Sequence, residues 1–173
     1  MSEENQIFLG LGSNIGNRYQ NLKNGINQLN NHPHIWVIEQ SHVYQSPAMY
    51  KMNQDDYYNM VVKIDTNLVP LDLLNEIKKI EIKVGRMPRD KKNMPRILDI
   101  DILAIGDMQI QTPLLKIPHP GASERNFVLK PWNDISPQFI IPNSTETISD
   151  LLENSTDLSE IRMVLILDEE NMI

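Results

Sequence analysis

Cysteine is absent from the 173 residues, so neither a disulfide nor a zinc–thiolate site can staple this chain. No apolar run in the sequence approaches the roughly 20 residues of a membrane-spanning helix. Aromatic residues are few, and basic residues are outnumbered 16 to 23 by acidic ones, a net charge of −7. That balance argues against a duplex nucleic-acid surface, which needs a basic footprint, and the missing aromatic motifs argue against RNA. The opening Met1–Gln6 is polar and acidic, unlike a signal or transit peptide. There is no repeat, low-complexity tract or linker. These absences leave one domain over residues 1–173, expected to be cytoplasmic and monomeric. A chain of this length buries about 70% of its unfolded surface without staples.

The elements follow from periodicity. Ile7 to Leu11 reads as a strand, with a turn at Gly12–Asn17. Leu22, Ile26 and Leu29 recur at helical spacing through residues 18–30. Residues 35–44 read as one strand, 47–56 as a polar loop, and 57–64 as a strand with Asn59, Val61 and Lys63 sharing a face. Pro70 opens a helix with Leu73, Ile77, Ile80 and Val84 as its buried stripe and Gly85 as its cap. A loop from Arg86 to Pro95 leads to a strand ending near Ile105. Gly106-Asp107 is read as turning that strand into a hairpin with residues 108–111. A short helix is expected near 123–129, another over 147–153, and a last strand over 163–167. The β-α-β-β-α-β order predicts an α+β fold. Its ferredoxin-like core is a mostly antiparallel sheet between helices, a three-layer α-β-α arrangement. That core is compatible with regulatory, RNA-binding and enzymatic modules alike.

Pro95-Arg96-Ile97-Leu98-Asp99-Ile100-Asp101-Ile102-Leu103 carries the most chemistry. On a strand, Leu98, Ile100 and Ile102 face one side while Asp99 and Asp101 share the other, roughly 6.6 Å apart. Two carboxylates at that separation repel by about 2–3 kcal/mol at an effective dielectric near 20. A hard divalent cation that brings phosphates with it would relieve the repulsion. Taken alone, the pair also reads as an ordinary solvated strand face. Half of the 16 Lys and Arg residues fall between Lys78 and Arg96, however. A local positive funnel on an acidic body suits a small polyanion such as a nucleoside triphosphate.

The glycines at 10, 12 and 16 match neither a dinucleotide fingerprint nor a P-loop. Instead, the chain resembles the 6-hydroxymethyl-7,8-dihydropterin pyrophosphokinases of folate biosynthesis. The resemblance runs in order along nearly the whole sequence. It comprises Leu11-Gly12-Ser13-Asn14, Ser46-Pro47, Tyr57-Tyr58-Asn59, Glu81 with Gly85-Arg86, and Pro95-Arg96-x-x-Asp99-Ile100-Asp101-Ile102. Ile117-Pro118-His119-Pro120 and Glu124-Arg125-x-Phe127-Val128-Leu129 complete it. The Pro-Arg-x-x-Asp-x-Asp element is the specific one.

This resemblance implies transfer of an intact diphosphate from ATP to the hydroxymethyl oxygen of 6-hydroxymethyl-7,8-dihydropterin, with release of AMP. It implies that Asp99 and Asp101 hold two Mg²⁺ ions and that Arg86 and Arg96 neutralise phosphate charge. Glu81, Arg89, Ile102, His119 and Arg125 would complete the ATP site. Tyr57 and Phe127 would sandwich the pterin, Asn59 would bond its edge, and Ser46, Pro47 and Met49 would add backbone contacts. Ser13 and Asn14 are read as turn formers beneath that pocket.

The departures cluster in the basic loop. Asn93 and Met94 stand where the family commonly has tryptophan and glycine, and Pro88 where it has arginine, with Arg89 beside it. Gly121 stands where many members carry arginine, and Lys78 where a glutamine is frequent. These changes predict the same reaction with altered nucleotide kinetics. Another Mg²⁺-dependent phosphoryl or nucleotidyl transferase, or a ferredoxin-like binding module, are the alternative readings of the residues.

Overall fold

A computed structural model of the protein describes residues 6–49, 53–87 and 94–164. Eight strands and four helices appear in it: β1 Ile7–Ser13, α1 Arg18–Asn30, β2 Ile35–Gln40, β3 Tyr44–Ser46, β4 Tyr57–Thr66 and α2 Pro70–Val84, followed by β5 Asp99–Ile105, β6 Ile110–Gln111, β7 Lys116–Ile117, α3 Asn126–Ile135, α4 Ile148–Glu153 and β8 Arg162–Met163. The main sheet runs β5-β1-β4-β3-β8, with β2 also on β4, and its named pairs are antiparallel. Each α-helical crossover joins strands that are not neighbours, as in the expected ferredoxin-like core.

Sheet alternation separates two cores. On one face Leu9, Leu11, Val62, Ile64, Ile100 and Ile102 pack against Leu22, Ile26 and Leu29 of α1 and Leu73, Ile77 and Ile80 of α2. On the other, Phe8, Val61, Leu103 and Ala104 meet Leu129 and Trp132 of α3 and Ile148 of α4. Leu103 and Ala104 share that face because the β1–β5 register shifts between Phe8 and Leu9. A bulge of this kind adds a residue to one strand and breaks its alternation. Three layers result, as the α-β-α expectation requires. Pro70 opens α2, and Gly85 closes it at φ 131°, where its N–H bonds Glu81 and Ile82 carbonyls. A side chain at that φ would be strained.

Four local expectations are corrected. Residues 35–44 are two strands, because Ser41 interrupts the ladder. Its N–H bonds the Val61 carbonyl and its hydroxyl accepts the Val61 N–H. The residues after Gly106-Asp107 do not pair back onto β5: β6 pairs with β7 instead. The outer edge of β5 is engaged elsewhere, through Ile100 N–H to Glu81 and the Leu103 carbonyl to His119 N–H. The helix expected over 123–129 is a 3₁₀ turn at Ala122–Glu124 followed by α3, which continues through Pro131 to Ile135. Burial of Trp132 and Leu129 keeps the chain helical beyond the proline. The last strand begins one residue early, at Arg162, and residues 165–167 of that expectation lie outside the described residues.

Candidate active site

The three strands β1, β4 and β5 present one bare patch on the α3 face of the sheet. Gly10 and Gly12, two apart on β1, supply no side chains there. A Cβ at Gly12 would sit 3.2 Å from Asn59 Oδ1, and one at Gly10 3.3 Å from Leu103. The patch floors a cavity of about 530 Å³. Its walls are Ser46, Pro47, Met49 and Gln54 on one side, Arg96, Asp99 and Asp101 on another, and His119, Arg125, Phe127 and Val128 opposite. Tyr57 and Asn59 rise from β4 between them.

The pterin-side expectations converge. Ser46, Pro47, Met49, Tyr57, Asn59 and Phe127 all line this cavity. Asn59 is buried and donates to Ser46 Oγ at 2.7 Å, which orients its amide. Tyr57 pairs with Ser46 across β3 and β4. Its phenol pKa is raised, first by burial and then by the Asp99 charge. Arg125 packs its guanidinium 5.9 Å from the Phe127 ring centroid. The same guanidinium lies where a Cβ at Gly121 would be, 2.9 Å from its central carbon. The glycine therefore makes room for Arg125.

On the phosphate side, alternating charges form a chain from helix to strand. Lys78 Nζ lies 3.0 Å from Glu81 Oε1, Glu81 Oε2 pairs with Arg86, and Arg86 reaches Asp99 Oδ1 at 3.1 Å. Arg96 joins the same oxygen at 3.5 Å. The expectation of Glu81 as a nucleotide contact meets a different geometry: its side chain is 1% exposed, and Oε1 also accepts the Ile100 N–H at 2.7 Å. Burial raises its pKa while the Lys78 charge opposes the rise. Ile102 turns its side chain into the α1–α2 core and is not among the residues that line the cavity. Arg89, with Lys91, Lys92 and Asn93, lies outside the described residues.

Asp99 and Asp101 share one face of β5, as alternation requires, and both line the cavity. The Asp101 side chain is 46% accessible and opens into the cavity, within a recess between its walls. Its pKa is pushed up to about 7, by desolvation and then by the Asp99 charge. His119 Nε2 is 3.9 Å from Asp101 Oδ2. Burial and the Arg125 charge lower its pKa, so at neutral pH the ring is uncharged and offers one N–H. Among the described residues no three metal-ligating side chains cluster. The donor set is two carboxylates open to the cavity, which fits a hard cation that takes its remaining oxygens from phosphate and water.

Two participants were missed. Gln54 lines the cavity, and Asn14, read as a turn former, is a junction. Its side chain, 1% exposed with its residue, accepts the Arg96 N–H at 2.7 Å and donates to Gln54 Oε1 at 3.1 Å and the Asp55 carbonyl at 3.4 Å. A buried asparagine straight after a strand was the available signal. The next residues are anchored too: Arg18 donates to the Asp56 carbonyl and covers the Tyr58 ring at 4.1 Å.

Comparison with known proteins agrees with this geometry. Residues 8–137 match the family described as 7,8-dihydro-6-hydroxymethylpterin-pyrophosphokinase. The chain is 43% identical over 136 residues to the 2-amino-4-hydroxy-6-hydroxymethyldihydropteridine pyrophosphokinase of Aquifex aeolicus, covering 79% of this chain and 83% of that one. It is 41% identical over 138 residues to the folic acid synthesis protein FOL1 of Dictyostelium discoideum, covering 80% of this chain but only 20% of that protein. Among solved structures, wild-type Plasmodium falciparum HPPK-DHPS with pteroate matches with a TM-score of 0.67 at 17% identity, over 86% of this chain and 44% of the other. On the family match and the Aquifex relative, the chain belongs to the 7,8-dihydro-6-hydroxymethylpterin-pyrophosphokinase family.

Proposed function

We propose that this cavity performs the family's reaction, transfer of pyrophosphate from ATP to hydroxymethyldihydropterin in folate synthesis, with the two substrates meeting over Asp101. The observation that carries the reading is the shared cavity: the carboxylate pair and the Tyr57–Phe127 slot line the same space. The pterin ring lies between Tyr57 and Phe127 in an offset stack. Asn59, its amide oriented by Ser46, both donates and accepts at the ring edge. Backbone groups near Pro47 and Met49 close the slot.

The triphosphate lies along β5. Arg96 and Arg86 grip its oxygens, a task suited to planar guanidinium groups. His119 and Arg125 donate from the opposite wall. The backbone of Ile102, beside Asp101 on β5, contacts the nucleoside. Asp99 and Asp101 are the residues that would hold Mg²⁺, two ions by the family resemblance; bound there, the metal supplies charge neutralisation to the phosphates.

The hydroxymethyl oxygen attacks the β-phosphorus in line, forming the new P–O bond as the bond from that phosphorus to the bridging oxygen of AMP breaks. The hydroxyl proton leaves to solvent as the new bond forms, the hydroxyl acidified by a metal held by the carboxylate pair and Asp101 near enough to assist. Positioning and charge neutralisation carry the rest, as in phosphoryl transfers generally. We extend the proposal to a monomer working in the cytoplasm. Purified protein with Mg²⁺, ATP and 6-hydroxymethyl-7,8-dihydropterin should form AMP in step with pterin consumption. Formation of ADP, or no turnover, would overturn this reading.

A further inference from the structure

Outside the cavity, one polar cluster joins α3 to the strand beneath it. Asp134, near the end of α3, accepts from Tyr44 Oη at 2.9 and 3.1 Å through its two oxygens. It also accepts the His42 N–H at 3.1 Å and lies 3.0 Å from His42 Nδ1. Its side chain is only 20% exposed. Nothing in the proposed chemistry uses these groups.

We propose that Asp134 is a positioning residue for the pterin slot, an inference that rests on the assignment of that slot above. Tyr44 and Ser46 are two apart on β3 and share a face, and Ser46 lines the cavity. Phe127 and Asp134 are seven apart on α3, two turns along one face and about 10.5 Å by helical rise. The Asp134–Tyr44 contact therefore closes one end of a strand–helix pair whose other end is the slot. A tilt of α3 by about 5° about that contact would move Phe127 by roughly 1 Å over this lever arm. Pro131 lies between them, and without an N–H it cannot bond the Phe127 carbonyl four residues back. The helix thus lacks one internal bond towards its slot end, where the packing of Leu129 and Trp132 on the sheet and the Asp134–Tyr44 tie set its orientation. The neighbouring tie, Asn126 to Asp157, runs to the segment before β8 and not to the opposite wall of the slot.

The test is equilibrium titration of 6-hydroxymethylpterin, followed by its own fluorescence, alongside titration of a non-hydrolysable ATP analogue and a melting curve. Native protein is compared with Asp134→Ala, Asp134→Asn and Tyr44→Phe. Misplacement near 1 Å should weaken pterin binding by about tenfold or more in Asp134→Ala, with ATP-analogue affinity within about twofold. Asp134→Asn, which keeps one acceptor for Tyr44, should recover part of the loss. Unchanged pterin affinity in a folded variant, or parallel loss of both ligands with the melting temperature, overturns the proposal. If Asp134→Ala does not fold, the isosteric Tyr44→Phe decides by the same criteria. Native protein that binds the nucleotide and no pterin would instead overturn the slot assignment, and this inference with it.

Discussion

Asn14 and Arg96, one at the exit of β1 and the other at the entrance to β5, exchange two hydrogen bonds. Asn14 N–H donates to the Arg96 carbonyl at 3.0 Å and Arg96 N–H donates to Asn14 Oδ1 at 2.7 Å. The same side chain holds Gln54 and Asp55, so one buried amide ties the pterin side of the cavity to a phosphate-side arginine. Asn14→Ala would leave the Arg96 N–H and the Gln54 amide without this partner, at about 1–3 kcal/mol for a buried group left unsatisfied. The expected result is a fall of roughly tenfold or more in kcat/KM for both substrates, measured by steady-state kinetics. An effect confined to the melting temperature would show that the junction serves folding alone.

The carboxylate pair makes a prediction of opposite sign for stability and activity. Asp101→Asn removes like-charge repulsion on β5, so that metal-free variant should melt no lower than the native protein, whereas Asp99→Asn also gives up its contacts with Arg86 and Arg96 and should melt lower than Asp101→Asn. Turnover should fall by several orders of magnitude, and calorimetric Mg²⁺ binding in the presence of an ATP analogue should weaken sharply. Retained turnover would remove the carboxylates from the mechanism.

The two rings of the slot should act on one substrate only. Tyr57→Ala or Phe127→Ala should raise the pterin KM by about ten- to thirtyfold, from lost burial and stacking energy, with the ATP KM little changed. Fluorescence titration with the pterin and kinetics at saturating pterin separate the two effects.

Glu81 should behave as a support. It is buried and bonded to Lys78, Arg86 and Ile100 N–H, and removing one partner of a buried pair costs about 3–5 kcal/mol. Glu81→Ala should therefore lower the melting temperature by several degrees, as thermal denaturation would record, and raise the ATP KM as Arg86 loses its anchor. Lys78 is 43% exposed. Lys78→Gln should change stability by less than about 1 kcal/mol.

Tyr44 sets an alkaline limit. Burial first and its hydrogen bonds with Asp134 next push its phenol up to about 12 from 10.0. The folded state therefore holds this proton more tightly than the unfolded chain. The stabilisation is complete below pH 10 and is lost as pH rises towards 12. Denaturant melts of native and Tyr44→Phe protein should differ by a constant amount below pH 10 and converge above it.

Much of this was legible along the chain. The stripe of Leu73, Ile77 and Ile80, the Pro70 start and the Gly85 stop place α2 to the residue, because helix periodicity and capping are local. Alternation put Asp99 and Asp101 on one face and Ile100 and Ile102 on the other. The break at Ser41 was not legible, since it depends on a hydroxyl meeting the N–H of Val61 twenty residues away. Nor was the pairing of β6, which follows from what already occupies the edge of β5. Asn14 passed for a turn former because its partners lie about forty residues on at Gln54 and Asp55, and farther still at Arg96.

The sequence by itself determined the elements, the layered class and the residue types of a phosphate-and-pterin chemistry, through propensity, period and motif. Only the tertiary structure decided which of those residues share a space. It sent Glu81 inside as a brace, turned the Ile102 side chain into the core, bared the floor at Gly10 and Gly12 and latched α3 to β3 through Asp134. Each depends on which surfaces meet across the sheet, and that is settled by packing between segments distant in the chain.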